Sequence, residues 1–170
     1  MLSKTKIDLT DEEVTSLNAV ALKYDGGSEN DIPNVLMDFP SVLEKVNANI
    51  DAYLPSSYVK YMVQSWSVNI KPGEKSPVNF HNHGYTHFSF VFYTTENQGC
   101  PLVLMDTNNL MFRVDVDFGD FIILPNYYQH QIEPNEVSKN RICFAGDILV
   151  TEDEHKSSTY LPPIHNWCRL

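Results

Sequence analysis

The hydrophobic positions of the chain change their spacing near residue 58. Before this point, apolar residues recur every three or four positions, which places them on one face of an α-helix. After it, short runs of β-branched and aromatic residues alternate with turn sequences, as is typical of β-strands. The pattern predicts a helical N-terminal part over residues 1–57, a β-rich part over 58–150 and a C-terminal arm over 151–170.

Two helices are predicted in the N-terminal part. Thr10 and Glu13 form a capping box at the start of the first helix, and Ser41 and Glu44 are spaced for another at the second. A glycine pair ends the first helix and a proline ends the second. The apolar residues at helical spacing are Val14, Leu17, Ala21 and Tyr24 in the first helix and Leu43, Val46, Ile50 and Leu54 in the second.

Seven β-rich runs follow, and turn sequences that contain Gly, Pro or Asn separate them. The runs are Tyr61–Ile70, Thr86–Thr95, Leu102–Met105, Met111–Val116, Phe121–Leu124, Gln129–Glu133 and Arg141–Val150. No helical pattern lies between them, which argues against a parallel α/β sheet. We therefore predict a mainly β (α+β) fold, an antiparallel barrel or jelly roll with the two helices packed on one face.

The composition indicates one domain and narrows the classes of partner. The 170 residues fall within the usual domain size of about 50–250 residues. The chain has 22 acidic and 12 basic residues, which gives a formal net charge of -10, so we expect no nucleic-acid partner. No signal-peptide pattern and no apolar run of about 18–20 residues is present, so we expect a cytoplasmic protein without membrane contact. The sequence leaves open whether the protein forms a homodimer.

His81 and His83 are the strongest candidates for metal ligands. In an extended chain, side chains two residues apart point to the same face, so both imidazoles can reach one ion. His130 follows a predicted strand and completes a set of three ligands that suits non-haem Fe(II). His87 lies where a cupin pattern places a ligand, and it is the alternative to His83. We expect His87 not to bind metal but to pack among the neighbouring aromatic residues Phe88, Phe90 and Phe92.

Arg141 begins the last predicted strand and is a candidate anchor for an anionic co-substrate. A guanidinium binds a carboxylate through two parallel hydrogen bonds, so Arg141 is suited to hold the distal carboxylate of a keto acid beside the metal. Tyr93 offers a hydroxyl from another strand, and Cys143 shares a strand face with Arg141. The alternative for Arg141 is an ordinary surface ion pair.

The order and spacing of these residues resemble the small 2-oxoglutarate/Fe(II) oxygenases of bacteria and T4-like cyanophages. The similarity runs from about residue 36 to 150, and its most specific part is the block from Gly119 to Arg141. The residues that carry it are Ser65-Trp66, His81-x-His83, Ser89, Tyr93, Gly99, Gly119-Asp120, Pro125, His130, Pro134 and Arg141.

The resemblance implies a double-stranded β-helix with Fe(II) and 2-oxoglutarate at the open end of the barrel. It places His81, His83 and His130 at the metal positions and Arg141 at the 2-oxoglutarate anchor. For a phage-encoded protein, the expected location is the host cytoplasm. Because three neutral imidazoles replace the usual two histidines and one carboxylate, bound Fe(II) would keep a formal charge of about +2 instead of about +1.

The chain departs from the family pattern at several positions near the predicted cofactor. Tyr85-Thr86 stands where the family has Asn-Ser, Phe90 replaces a Gly, and Cys143 replaces a Ser. We assign the family's cofactor role at this strand to Cys143, together with Tyr93. The candidates for a substrate pocket are Trp66, Tyr85, His87 and Phe90.

Three hypotheses for function follow. The first is an Fe(II)- and 2-oxoglutarate-dependent hydroxylase that releases succinate and CO2 and acts on a small molecule or a protein side chain. The second is a cupin-like three-histidine dioxygenase or isomerase that does not use 2-oxoglutarate. The third is a metal-binding module without catalysis.

Overall fold

The computed structural model describes residues 2–23, 34–54, 60–75, 79–96, 100–151 and 168–169. In chain order the elements are β1 (Ser3–Lys6), α1 (Asp11–Lys23), a 3-10 helix (Val35–Asp38), α2 (Pro40–Tyr53), β2 (Lys60–Ile70), β3 (Phe88–Tyr93), β4 (Leu102–Met105), β5 (Met111–Val114), β6 (Asp120–Pro125), β7 (Gln129–Ile132), β8 (Arg141–Thr151) and β9 (Cys168–Arg169). Each of the seven predicted β-rich runs overlaps with a strand. None of the helices in these residues is long and apolar enough to cross a membrane.

The strands form two antiparallel sheets. The large sheet has the strand order β1-β6-β3-β8-β2-β9, and the small sheet has the order β5-β4-β7. An isolated antiparallel bridge joins His81 to His130 of β7, so the backbone at His81 extends the edge of the small sheet. The predicted antiparallel, mainly β architecture is confirmed.

The strands β3 and β8 divide the core into two layers because their side chains alternate between the two faces of the large sheet. One face carries Phe90, Phe92 and Phe144, which pack with the buried residues of both helices. The other face carries Tyr93 and Cys143, which pack in a second cluster with residues of the small sheet. Both helices therefore cover one face of the large sheet, as predicted. The opposite face borders the space between the two sheets.

The capping box of the first helix is confirmed, and the second one is wrong. The Glu13 N–H donates to Thr10 Oγ1 at 3.2 Å, and the Thr10 N–H donates to Glu13 Oε2 at 2.8 Å. The second helix instead begins at Pro40 without a side-chain cap, since a proline in the first turn has no N–H that needs a partner. The Ser41 hydroxyl donates to Glu13 Oε1 at 2.9 Å and so joins the two helices. The predicted ends of both helices at the glycine pair and at Pro55 lie outside the described residues.

Two short strands were not predicted. β1 pairs with β6 along the edge of the large sheet, where Lys4 and Lys6 form ion pairs of 2.9 and 2.8 Å with the buried Asp120. β9 pairs with Met62 and Val63 of β2, which ties the end of the predicted C-terminal arm to the large sheet. β1 is polar along its whole length, so it lacks the apolar alternation by which a strand is recognised in a sequence.

Candidate metal centre

Three histidines meet where the backbone at His81 runs beside β7. The His130 N–H donates to the His81 carbonyl at 2.8 Å, and the His81 N–H donates back to the His130 carbonyl at 3.3 Å. His83 follows two residues later, and its ring centroid lies 5.3 Å from each of the other two. One candidate ligand nitrogen from each histidine lies within 4.8 Å of the others. The structure thus brings together the three residues that the sequence predicts as ligands.

Hydrogen bonds orient two of these imidazoles. His83 Nδ1 lies 2.6 Å from Asp147 Oδ1, and His81 Nδ1 lies 2.9 Å from the Asn79 carbonyl oxygen. In metal sites, a carboxylate or carbonyl that holds one ring nitrogen fixes the tautomer and leaves the other nitrogen to bind the metal. Nε2 is therefore the nitrogen that His81 and His83 would offer to an ion.

His130 is suited to a cation by its surroundings. Its Nδ1 is buried and has no hydrogen-bond partner among the described residues. Burial, reinforced by His81 and His83, lowers the pKa of His130 from 6.5 to about 3. The imidazole is thus neutral at physiological pH, which is the form that binds a metal. Three imidazoles that converge in a partly buried space fit a divalent transition metal such as Fe(II).

Asp147 is a residue of this site that the sequence did not predict. It is fully buried, and it also accepts hydrogen bonds of 2.9 Å from the Ser89 hydroxyl and from the Gln64 amide. Its position follows from the strand register. Asp147 lies on β8, and its partners on the two neighbouring strands are Ser89 of β3 and Gln64 of β2. A carboxylate inside the otherwise apolar run Ile142–Val150 is the sequence signal that could have identified it.

Arg141 is fully buried on the same face of β8, facing the small sheet. Its Nη2 donates to the Tyr93 hydroxyl at 3.2 Å, its Nη1 lies 3.8 Å from Cys143 Sγ, and its guanidinium carbon lies 5.0 Å from the centre of the Tyr93 ring. Its Nε has no hydrogen-bond partner in the described part of the chain, and none of the ion pairs there involves this guanidinium. The surface ion pair considered for Arg141 is therefore wrong.

Two of the predicted pocket residues lie beside the histidines. The ring of Trp66 stacks on His83 with centroids 5.4 Å apart, and the half-exposed Tyr85 stacks at 6.5 Å. Phe90 lies elsewhere: it belongs to the helix-facing layer of the core, where its ring stacks on Phe121. Because Ser89 points towards Asp147, the alternation of β3 turns Phe90 away from the centre.

His87 does not pack among the phenylalanines as expected. It is exposed, and its Nδ1 accepts a hydrogen bond from the Val150 N–H at 3.1 Å. A turn closed by the Thr86 N–H and the His83 carbonyl at 2.9 Å precedes His87, so the chain does not run as one regular strand from His81 to His87. His87 is also absent from the group of histidines whose nitrogens converge.

No protein-family sequence profile and no curated protein sequence matches the chain. Several solved structures are nevertheless similar in fold. An oxidoreductase of the 2OG-Fe(II) oxygenase family from Burkholderia pseudomallei is 9% identical with a TM-score of 0.64, over 87% of this chain and 84% of that one. The α-ketoglutarate-dependent carbocyclase SnoK of nogalamycin biosynthesis is 13% identical with a TM-score of 0.64, over 86% and 78%.

A viral collagen prolyl hydroxylase from Paramecium Bursaria Chlorella virus-1 is 17% identical with a TM-score of 0.60, over 89% of this chain and 90% of that one. Since the matches cover most of each chain, the similarity concerns the whole barrel with its helices. The predicted double-stranded β-helix fold of 2-oxoglutarate/Fe(II) oxygenases is therefore confirmed.

Proposed function

We propose that the protein is an Fe(II)- and 2-oxoglutarate-dependent oxygenase. The observation that carries this proposal is the buried Arg141. Its guanidinium has no carboxylate partner among the described residues. Arg141 also lies on the same face of β8 as Asp147, which is hydrogen-bonded to the ligand His83. Burial of an unpaired charge is costly, so such a group is retained where it binds a ligand of opposite charge. A dicarboxylic keto acid has one end for a metal and one end for a guanidinium.

The roles of the residues follow from their positions. His81, His83 and His130 would hold Fe(II), and Arg141 would bind the distal carboxylate of 2-oxoglutarate through its forked donors. Tyr93 would add a hydroxyl to the same carboxylate, and the apolar walls of β3 and β8 exclude water around it. Bound Fe(II) with 2-oxoglutarate supplies the chemistry by which O2 hydroxylates a substrate while succinate and CO2 are released.

The substrate side of this proposal rests on Trp66 and Tyr85. Both rings stack beside His83, and Tyr85 is half exposed, so a small molecule or a protein side chain would approach the metal past these rings. The similar structures include a prolyl hydroxylase in complex with a peptide fragment from Trichoplax adhaerens. We infer a cytoplasmic enzyme without a nucleic-acid partner, in keeping with the net charge of -10.

An anaerobic titration tests this function. Fe(II) added to the protein together with 2-oxoglutarate should give a visible charge-transfer band that neither component gives alone. Aerobic incubation should then form succinate from 2-oxoglutarate even without a substrate. Tight metal binding with no band and no succinate would disprove the proposal.

The second candidate is a cupin-like dioxygenase or isomerase that does not use 2-oxoglutarate. The three-histidine ligand set favours it, because sites of the oxygenase type ordinarily include one carboxylate ligand. The same titration separates the candidates, since this enzyme would bind Fe(II) without any change on addition of 2-oxoglutarate. A metal-binding module would behave likewise but show no turnover with any substrate.

A further inference from the structure

Asp147 is a buried carboxylate whose one ionisable partner in the described part of the chain is His83. Its side chain is fully inaccessible, and its three donors, His83 Nδ1, the Ser89 hydroxyl and the Gln64 amide, belong to side chains that are neutral when His83 binds a metal. Burial of a carboxylate is costly unless hydrogen bonds and a nearby cation compensate. The hydrogen bonds are in place, and when His83 binds a metal as a neutral ligand, the metal ion is the cation nearest to this carboxylate.

The other buried aspartate of the large sheet provides a contrast. Asp120 is also almost fully buried, but Lys4 and Lys6 form ion pairs with it at 2.9 and 2.8 Å. Both residues satisfy their oxygens, but Asp120 pairs with two lysines, whereas the one ionisable partner of Asp147 in the described residues is His83, which is uncharged when it binds a metal. The position of Asp147, one imidazole behind the three-histidine centre, indicates that a metal ion is its counter-charge.

We propose that Asp147 is the positioning residue of the metal centre and supplies, through His83, the negative charge that a directly bound carboxylate would otherwise provide. This inference rests on the proposed function only for the identity of the metal. A carboxylate that accepts a hydrogen bond from Nδ1–H fixes the tautomer of His83 and makes Nε2 a stronger electron-pair donor to the metal. Counted with three neutral imidazoles and a divalent ion, Asp147 lowers the formal charge of the centre from about +2 to about +1.

The strand register explains why this charge can act from behind the ligand. Ser89 and Gln64 lie directly across from Asp147 on the two neighbouring strands, so the carboxylate is held from both sides. The 2.6 Å distance to His83 Nδ1 is short, as is typical of hydrogen bonds to a charged group. Asp147 can thus orient the ring without itself reaching the ion.

The first test measures metal binding alone, so it does not depend on 2-oxoglutarate. The variant Asp147→Asn keeps the size of the side chain but removes its charge. It should weaken binding of Fe(II) or Co(II), titrated anaerobically, by about 10–100-fold, the usual cost of losing such a partner. The matched control is Asp120→Asn, which removes a buried carboxylate distant from the histidines along β6 and should change stability but not metal affinity. Equal metal affinity of Asp147→Asn and the wild type would overturn the proposal.

A second variant pair separates a charge effect from a structural one. His83→Asp places a carboxylate at the ligand position itself. Asp147 then has no imidazole through which its charge could act on the metal. In this background, Asp147→Asn should leave metal affinity unchanged or raise it, whereas a purely structural role predicts the same loss in both backgrounds. The pair also decides the question if Asp147→Asn alone does not fold. If the double variant binds the metal at least as tightly as His83→Asp does, the proposal is supported. If the double variant binds it more weakly, the proposal is overturned.

A spectroscopic readout addresses the electron density of the centre. If the oxygenase proposal holds, the charge-transfer band with 2-oxoglutarate should shift to shorter wavelength in Asp147→Asn, because a less electron-rich Fe(II) gives up an electron less readily. An unshifted band in metal-loaded Asp147→Asn would contradict the charge role. The absence of any band in the wild type, with the difference in metal affinity intact, would disprove the oxygenase function but leave the role of Asp147 standing.

Discussion

Arg141 Nη2 donates to the Tyr93 hydroxyl at 3.2 Å, and both side chains are fully buried between the two sheets. Burial raises the pKa of Tyr93, although the nearby Arg141 partly offsets this effect, so the phenol keeps its proton. Because the phenol oxygen accepts a hydrogen bond from Arg141, its own proton can point to a further acceptor. The two side chains together therefore present several donors and no acceptor with a negative charge, which is the chemistry of a carboxylate site.

Replacing Arg141 should weaken keto-acid binding without loss of the metal. Arg141→Ala is expected to reduce 2-oxoglutarate affinity by at least about 10–100-fold, since a hydrogen bond to a charged group contributes about 1.5–3 kcal/mol and 1.4 kcal/mol is a factor of ten. Arg141→Lys should recover only part of this, because an ammonium lacks the planar fork. Calorimetric titration of the iron-loaded proteins with 2-oxoglutarate measures both variants, and succinate formation should fall in the same order.

Arg113 offers the matched control. It is largely exposed, and it pairs with Glu133 Oε1 through Nε at 2.9 Å and Nη2 at 2.7 Å. Exposed pairs of this kind contribute little, so Arg113→Ala should bind 2-oxoglutarate as the wild type does. An equal loss in both variants would mean that general destabilisation, and not the carboxylate site, explains the result.

Much of the fold was predictable because the signals were local. The period of the apolar residues separated the helices from the strands, and the spacing of His81 and His83 on an extended chain predicted that their side chains would converge. The family resemblance supplied the double-stranded β-helix, and the similar solved structures confirm it. These features depend on residues close in sequence or on a motif with fixed spacing.

The rest depended on pairing between distant strands. Asp147 reaches His83 only because β8 lies between β2 and β3, a relation that no local pattern expresses. The expectation that His87 packs among the phenylalanines was wrong, because a turn from His83 to Thr86 interrupts the strand before it and leaves the side chain exposed. Phe90 was expected near the substrate because it replaces a glycine of the family pattern close to the predicted cofactor, but its side chain faces the helices, and its partner on β8 is Gly146.

Removing one histidine of the centre should remove the metal. His130→Ala leaves two ligands, so we expect the purified variant to lose stoichiometric iron by elemental analysis while its circular dichroism spectrum stays that of the wild type. His87→Gln is the matched control, since His87 is exposed and directs Nδ1 to the Val150 N–H. It should keep one iron per chain. Full occupancy in His130→Ala would remove His130 from the ligand set, and loss of iron in His87→Gln would favour the cupin-like alternative.

The close contact between Gly146 and Phe90 predicts a stability effect. A Cβ added at Gly146 would overlap the Gln64 carbonyl oxygen and the Phe90 ring, and the carbonyl belongs to a strand that cannot move aside cheaply. Gly146→Ala should therefore lower the free energy of unfolding by about 1–3 kcal/mol, the usual cost of overpacking. Urea unfolding of Gly146→Ala and the wild type measures this difference in the free energy of unfolding. Gly84→Ala is the control, because its Cβ would meet nothing closer than Asn82 Oδ1 at 3.8 Å. Equal stability of the two variants would refute the contact.

Glu13 should make stability depend on pH in the acid range. Burial opposes its ionisation, but hydrogen bonds from the Lys45 ammonium, the Thr10 N–H and the Ser41 hydroxyl outweigh this and lower its pKa from 4.5 to about 2. Because the folded protein binds this proton less readily than the unfolded chain, the contribution of Glu13 is complete above pH 4.5. It is lost as the pH falls from 4.5 towards about 2.

The variant Glu13→Gln isolates this contribution. At pH 7 it should be less stable than the wild type by about 0.5–2 kcal/mol, the usual value of a helix cap, and the exposed Glu12→Gln beside it should be close to neutral. Urea unfolding at intervals from pH 7 down to pH 3 should show the gap between Glu13→Gln and the wild type narrowing only below pH 4.5, because protonation removes from the wild type what the substitution has already removed. A gap of constant size over this range would mean that the carboxylate charge of Glu13 does not hold the two helices together.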